Sequence, residues 1–149
     1  MGQRNSANAI VRKVEYVFYN EKNIRCAVNE KRLDSGGHTG GENTGHAFVS
    51  DPTAVKAIRD AAEIGWVLLD NGDNIRWPER WIGVIDAVYS WCGKDSIRLQ
   101  VAKMRYRGCD YRDTCAELHI SQPTYSAIMA EIRNYAMMCA CQEQLIRVF

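Results

Sequence analysis

The sequence predicts an all-α fold: a helical protein with a C-terminal helix-turn-helix and a long terminal helix. Three observations carry this. Apolar residues recur at spacings of three, four and seven through most of the 149 residues, the period of one helix face. Residues that open and close helices stand at the ends of those runs, with Ser50–Asp51–Pro52, Pro78 and Ser96 opening and Gly72, Gly93 and Gly108 closing. Between Met104 and Glu131 two periodic runs meet across a gap short enough for one tight turn. The expectation is five or six helices, no sheet, and a break between residues 35 and 50.

Residues 1–34 read as one long N-terminal helix. Asn5 or Ser6 can cap it, and Ile10, Val14, Val17, Ile24 and Val28, with Val11 and Phe18 beside them, form its apolar stripe. Arg12, Lys13, Lys22, Arg25, Lys31 and Arg32 occupy much of the remaining surface.

Residues 35–50 are too rich in glycine to sustain a helix, because each glycine gives up more backbone freedom than any other residue, so this stretch reads as a flexible linker. Gly40 and Gly45 match the outer glycines of a phosphate-binding loop, but His46 and Ala47 stand where that motif needs Lys and Ser or Thr, which excludes a nucleotide site of this kind. His38 and His46 lack cysteine or carboxylate companions at metal-ligand spacing, so no metal is expected.

Residues 51–93 read as a pair of core helices. The first starts at Ser50–Pro52, buries Val55, Ile58, Ala62, Trp66 and Leu69, and stops at Asp70–Asn71–Gly72. The second opens at Pro78 and carries Trp81, Ile82, Ile85, Val88, Tyr89 and Cys92 up to Gly93.

Residues 94–149 hold the turn motif and the terminal helix. A helix from Asp95 or Ser96 carries Ile97, Val101 and Met104 to Gly108. In the motif itself, Cys115 stands where the first helix needs a small residue. Leu118 and Ile120 are placed to fill the angle and the turn, and Tyr125 and Ile128 to pin the second helix. Ser121 can cap that second helix, with Pro123 in its first turn, where a missing N–H costs little. A stripe of Tyr125, Ile128, Ile132, Tyr135, Cys139, Ile146 and Phe149 then carries the helix on towards the end. Unbroken to Val148, it would span roughly 40 Å at 1.5 Å per residue.

These segments carry a resemblance. Met104–Gly108 (MRYRG), Tyr111–Leu118 (YRDTCAEL) and His119–Ile128 (HISQPTYSAI) resemble the DNA-binding region four of bacterial sigma factors, which runs roughly LRY, Gly, YREIAEEL, GISQPTVSRI. His119 departs from the glycine usual at the turn, a position that often takes positive φ. A Gly-rich approach, SDPTA at Ser50–Ala54 and WPERW at Trp77–Trp81 are similar to phage-encoded late transcription regulators of the RinA and ArpU type.

The resemblance implies a sequence-specific DNA-binding transcription regulator, in phage or prophage late-gene control, that reads the major groove with the helix starting at Ser121. It implies double-stranded DNA as partner, with RNA polymerase as a second, because region four also contacts polymerase. Position by position, Gln122 would read an adenine edge, Ser121, Thr124, Ser126 and Ala127 would offer hydroxyls or a methyl contact, and Arg107, Arg112 and Arg133 would hold phosphates. One alternative is a phage DNA-packaging subunit of the small-terminase kind; the other is a sigma-like protein-docking module. A homodimer is one assembly the long apolar stripe allows, and packing of that stripe on the first helix is the other.

Charge and cysteine usage fit these expectations. The formal net charge is +1, yet both ends of the chain are basic and the middle is acidic. Arg98, Lys103, Arg105, Arg107 and Arg112 fall close together with only Asp110 among them, a modest footprint for phosphates. Six cysteines without a CxxC pair fit a reduced cytoplasm. No apolar run approaches the roughly 20 residues needed to span a bilayer, and residues 1–10 lack the apolar core of a signal peptide. No Ser/His/Asp, Cys/His or paired-carboxylate arrangement stands out, and the three histidines are scattered, so neither an enzyme nor a cofactor is expected.

Overall fold

The computed structural model describes residues 2–34 and 61–147. The Gly-rich stretch, the helix start at Ser50–Pro52 with Val55 and Ile58, and Phe149 lie outside the described residues, as do the side chains of Asn5 and Ser6.

The class is all-α, with six helices and one small hairpin among the described residues. In chain order the elements are α1 (Gly2–Tyr19), α2 (Glu21–Asp34), β1 (Trp66–Leu68), β2 (Asn74–Arg76), α3 (Pro78–Cys92), α4 (Ile97–Tyr106), α5 (Tyr111–Leu118) and α6 (Gln122–Gln142). They form two compact units, residues 1–21 with 80–149, and residues 22–79.

In the first unit α1 packs on α6, and α4, α5 and α6 pack on one another. Its core draws Val14, Val17 and Phe18 from α1, Trp81, Val84, Ile85 and Val88 from α3, Val101 and Ala102 from α4, and Met129, Ile132 and Ala136 from α6. Phe18 is 1% exposed and lies 4.9 Å from the Tyr106 ring and 6.0 Å, edge-on, from Tyr89. The outer half of α6 is therefore covered by α1, one of the two partners its stripe allowed.

Local chemistry explains most boundaries. Ser96 caps α4, its Oγ accepting from Leu99 N at 3.0 Å. Gly93 closes α3 at φ +88° and Gly108 follows α4 at φ +94°, conformations that cost glycine nothing. Cys109 N–H returns to the Met104 carbonyl at 3.1 Å, the six-to-one bond of a Schellman end.

The N-terminal helix is two helices, not one. Asn20 separates α1 from α2, its backbone N–H reaching the Tyr16 and Val17 carbonyls and its side-chain amide donating to Tyr16 O at 2.9 Å. Asn5 and Ser6 lie inside α1, which begins at Gly2, so neither is its cap.

In the second unit, Trp66 and Leu69, expected on a helix, belong to a hairpin. β1 and β2 pair antiparallel with Val67 opposite Ile75, both buried, while Trp66 and Leu68 face outward. Asp70–Asn71–Gly72 forms its three-residue loop, with Gly72 at φ +88° and Asn71 accepting from Asp73 N at 3.0 Å. A turn sequence that stops a helix also suits a hairpin, and three-residue strands are too short to display a period. The expected absence of sheet is corrected at this point. Glu79, in the first turn of α3, fastens the unit: its carboxylate accepts from the Arg32 guanidinium and from Ile64 N at 2.9 Å.

The terminal helix stops six residues short of Val148. Gln144 turns at φ +58°, Leu145 N–H bonds Ala140 O at 2.9 Å, and Gln144 N–H bonds Cys141 O at 3.0 Å, a second Schellman end. At 21 residues α6 is about 31 Å long by the rise of an α-helix, not 40 Å. Its buried stripe is Tyr125, Met129, Ile132, Ala136 and Cys139. Ile128 and Tyr135, expected in that stripe, are half-buried beside it.

Candidate nucleic-acid interface

The candidate interface is built on α5, the turn after it and the first turns of α6. Asp110 caps α5, its side chain accepting from Tyr111 N at 2.8 Å and its carbonyl from Thr114 N at 3.0 Å. Thr114, 0% exposed, is the residue that α5 buries, and its hydroxyl donates back to Asp110 O at 3.0 Å. Cys115, expected at the point of closest approach, is only half-buried. The crossing therefore closes over Thr114.

His119 sits in the left-handed region at φ +53°, ψ +43°, and Ile120 N–H returns to Cys115 O at 3.1 Å. This is the conformation for which glycine is the usual residue. Ser121 then caps α6, its Oγ accepting from Thr124 N at 3.3 Å and lying 2.8 Å from Thr124 Oγ1. Pro123 occupies the first turn.

Five of the eight sequence-selected residues gather at this tip: Ser121, Gln122, Thr124, Ser126 and Ala127 are all exposed. The Ser121 and Thr124 hydroxyls are engaged with each other in the cap, which leaves Gln122, Ser126 and Ala127 as the outward groups. Arg107, at the end of α4, is exposed and makes no ion pair among the described residues. Arg112, in the first turn of α5, is exposed, with Nε 3.2 Å from the Tyr111 hydroxyl.

Arg133 is placed differently. Its Nε donates to Glu15 of α1 at 2.7 Å, and its side chain is 33% exposed. Nor do the five neighbouring cations form one open patch. Arg98 lies 4.4 Å over the Trp91 ring and bonds Glu131, Lys103 lies 5.4 Å over Tyr89, and Arg105 lies 5.8 Å over Tyr19. Stacking on a ring leaves the charge in place but commits the head group; Arg112, 5.7 Å over Tyr111, is held in the same way, so among the described residues Arg107 is the one of the five without a ring partner.

Phenols near these cations are held protonated. Burial, followed by Glu15, pushes Tyr106 above the ordinary tyrosine range, with Arg133 pulling the other way. Burial raises Tyr125 as well, opposed by Arg105.

The base-contact residues selected from the sequence end at Ala127, short of the next turns, where Ala130, Glu131 and Asn134 are exposed. The spacing Ala127, Ala130, Asn134 is the helical repeat that would have found them. Asn134 adds an amide of the type that pairs with adenine.

The cysteines are free thiols, with Cys92 and Cys139 buried as small apolar residues and Cys26 exposed. Among the described residues no three His, Cys, Asp or Glu are grouped to hold a metal ion, and no helix is long and apolar enough to cross a membrane. No family model, curated protein or solved structure matches the chain.

Proposed function

We propose that the chain is a sequence-specific DNA-binding transcription regulator, of the kind that serves phage or prophage late genes, reading the major groove with α6. The observation that carries this is the turn: α5 ends with His119 in the left-handed region and α6 starts at a Ser121 cap. That arrangement presents Gln122, Ser126 and Ala127 at the tip of a firmly capped helix. A helix that enters a groove tip-first meets base edges with its first turns, where an amide pairs with adenine and a methyl-sized side chain meets thymine. Arg107 and Arg112 stand close to the motif for phosphates, which position without reading.

A second reading has an observation of its own. The exposed residues of α6 from Gln122 to Asn134 include no cation, and the one basic residue of α6, Arg133, is half-buried, whereas DNA affinity leans on phosphate neutralisation. A sigma-like surface that docks on RNA polymerase needs no such charge.

Selection of bound duplexes from a random pool, repeated at several salt concentrations, separates the two. A recovered consensus with binding that weakens as salt rises supports groove reading. A pool that stays random, with retention on RNA polymerase instead, supports docking. Counting subunits in solution tests the packaging alternative, since a ring of many copies would favour it over a monomer or dimer.

A further inference from the structure

Arg133 is the one cation on α6. It stands seven residues after Ser126 and eleven after Gln122, which on a helix of 3.6 residues per turn puts it within about 20° of both. It also lies roughly 16 Å along the axis from Gln122 at 1.5 Å per residue. The major groove is about 12 Å wide, so with the tip of α6 at the bases, Arg133 is at the level of the flanking phosphate strand. The side chain is nevertheless turned inward, to the Glu15 carboxylate of α1 at 2.7 Å, with the two side chains 33% and 17% exposed. Glu15 and Arg133 act on Tyr106 in opposite senses, so the three groups form one cluster at the α1–α6 contact.

We propose that Glu15 competes with DNA phosphate for Arg133, so that α1 holds the single cation of the reading helix in an autoinhibitory ion pair. This inference rests on the DNA-binding reading above. Its effect is to keep binding to arbitrary sequence weak. The discriminating groups at the helix tip, Gln122 and Ser126, then supply a larger share of the total. Without the Glu15 carboxylate the guanidinium is free for phosphate, a strong bidentate acceptor.

The test uses the full chain and a labelled random-sequence DNA duplex, titrated at several salt concentrations. Glu15→Gln should raise affinity several-fold and steepen the dependence of log K on log salt by about one unit, as one added phosphate contact requires. In the Glu15→Gln background, Arg133→Ala should cancel both the gain in affinity and the added slope. An unchanged slope in Glu15→Gln overturns the proposal. So does a gain in Glu15→Gln that survives Arg133→Ala, since the added contact would then be made by another group. The NMR signal of the Arg133 Nε–H in the unmodified chain gives a reading that no variant's folding can spoil. It should stay in place when the duplex is added, and a shift would overturn the proposal. If the unmodified chain and every variant fail to bind the duplex at any salt, the DNA-binding reading itself fails and takes this inference with it.

Discussion

Arg98 of α4 donates to Glu131 of α6 at 2.6 Å while its guanidinium lies over Trp91, whose ring in turn stacks on Tyr135 at 4.4 Å. The single acidic residue of α6 is thus compensated by a cation that is itself held in place by two rings. Against DNA, an uncompensated Glu131 would face phosphate. Arg98→Ala should weaken binding to all sequences a few-fold, the size expected of about 0.5–1 kcal/mol for a partly exposed pair. Glu131→Gln should strengthen binding, and the double variant should return close to the starting value. Fluorescence titration at fixed salt measures all three, and a loss in the double variant as large as in Arg98→Ala would show that Arg98 touches DNA itself.

Phosphate and base contacts fail differently when removed. Arg112→Ala should weaken every duplex about equally and lower the magnitude of the salt slope by roughly one unit. Gln122→Ala should cost roughly 1–3 kcal/mol at the selected site and leave random DNA almost unchanged. If both leave DNA untouched and reduce retention on RNA polymerase, the docking reading takes over.

His119 occupies at φ +53° a conformation that disfavours side chains with a Cβ by roughly 1–2 kcal/mol. Glycine relieves that strain but gains freedom in the unfolded chain, so His119→Gly should stabilise the protein by about 1 kcal/mol net. Denaturant unfolding followed by circular dichroism reads it. A destabilisation would mean that the imidazole makes a favourable contact that outweighs the strain.

Tyr89 and Tyr106 give an alkaline limit to stability. Burial first, then Glu21, raises Tyr89, whose hydroxyl lies 3.2 Å from that carboxylate; burial first, then Glu15, raises Tyr106. The folded state thus binds these protons more tightly than the unfolded one. Their contribution is complete below the unfolded value of about 10 and is lost as pH rises through the higher folded values. Unfolding midpoints should hold to about pH 9 and fall beyond about pH 10, less steeply in Tyr106→Phe. An identical fall in that variant would assign the effect to other groups.

What was legible in the sequence was whatever short-range chemistry decides. Ser121 as a cap, Pro78 as a first-turn residue, Gly93 and Gly108 as ends, and positive φ at residue 119 each depend on a few neighbours and stand as read, and of the two starts offered for α4, Asp95 or Ser96, the cap is Ser96. The hairpin was not legible, because Asp70–Asn71–Gly72 ends a helix and turns a hairpin equally well. The Asn20 break escaped as well, since the stripe keeps its seven-residue step from Val17 to Ile24 across it. Arg133 is read from the sequence as a phosphate contact; its pairing with Glu15, 118 residues away, was not legible, because no local pattern records such a pair. The exposed tip of α6 was legible, while its continuation to Asn134 lies beyond the segment that carries the motif.

The length of α6 beyond its first turns has a mechanical meaning. The helix is held along its length, by α5 where Tyr125 is buried in its first turns and by α1 farther on, so force applied at Gln122 is borne by Tyr125 together with Met129, Ile132 and Ala136. Residues 94–149 transplanted alone onto another scaffold would arrive with that seam bare, so the turn motif and α1 have to travel together. Any graft of the turn motif has to carry α1 as its mount.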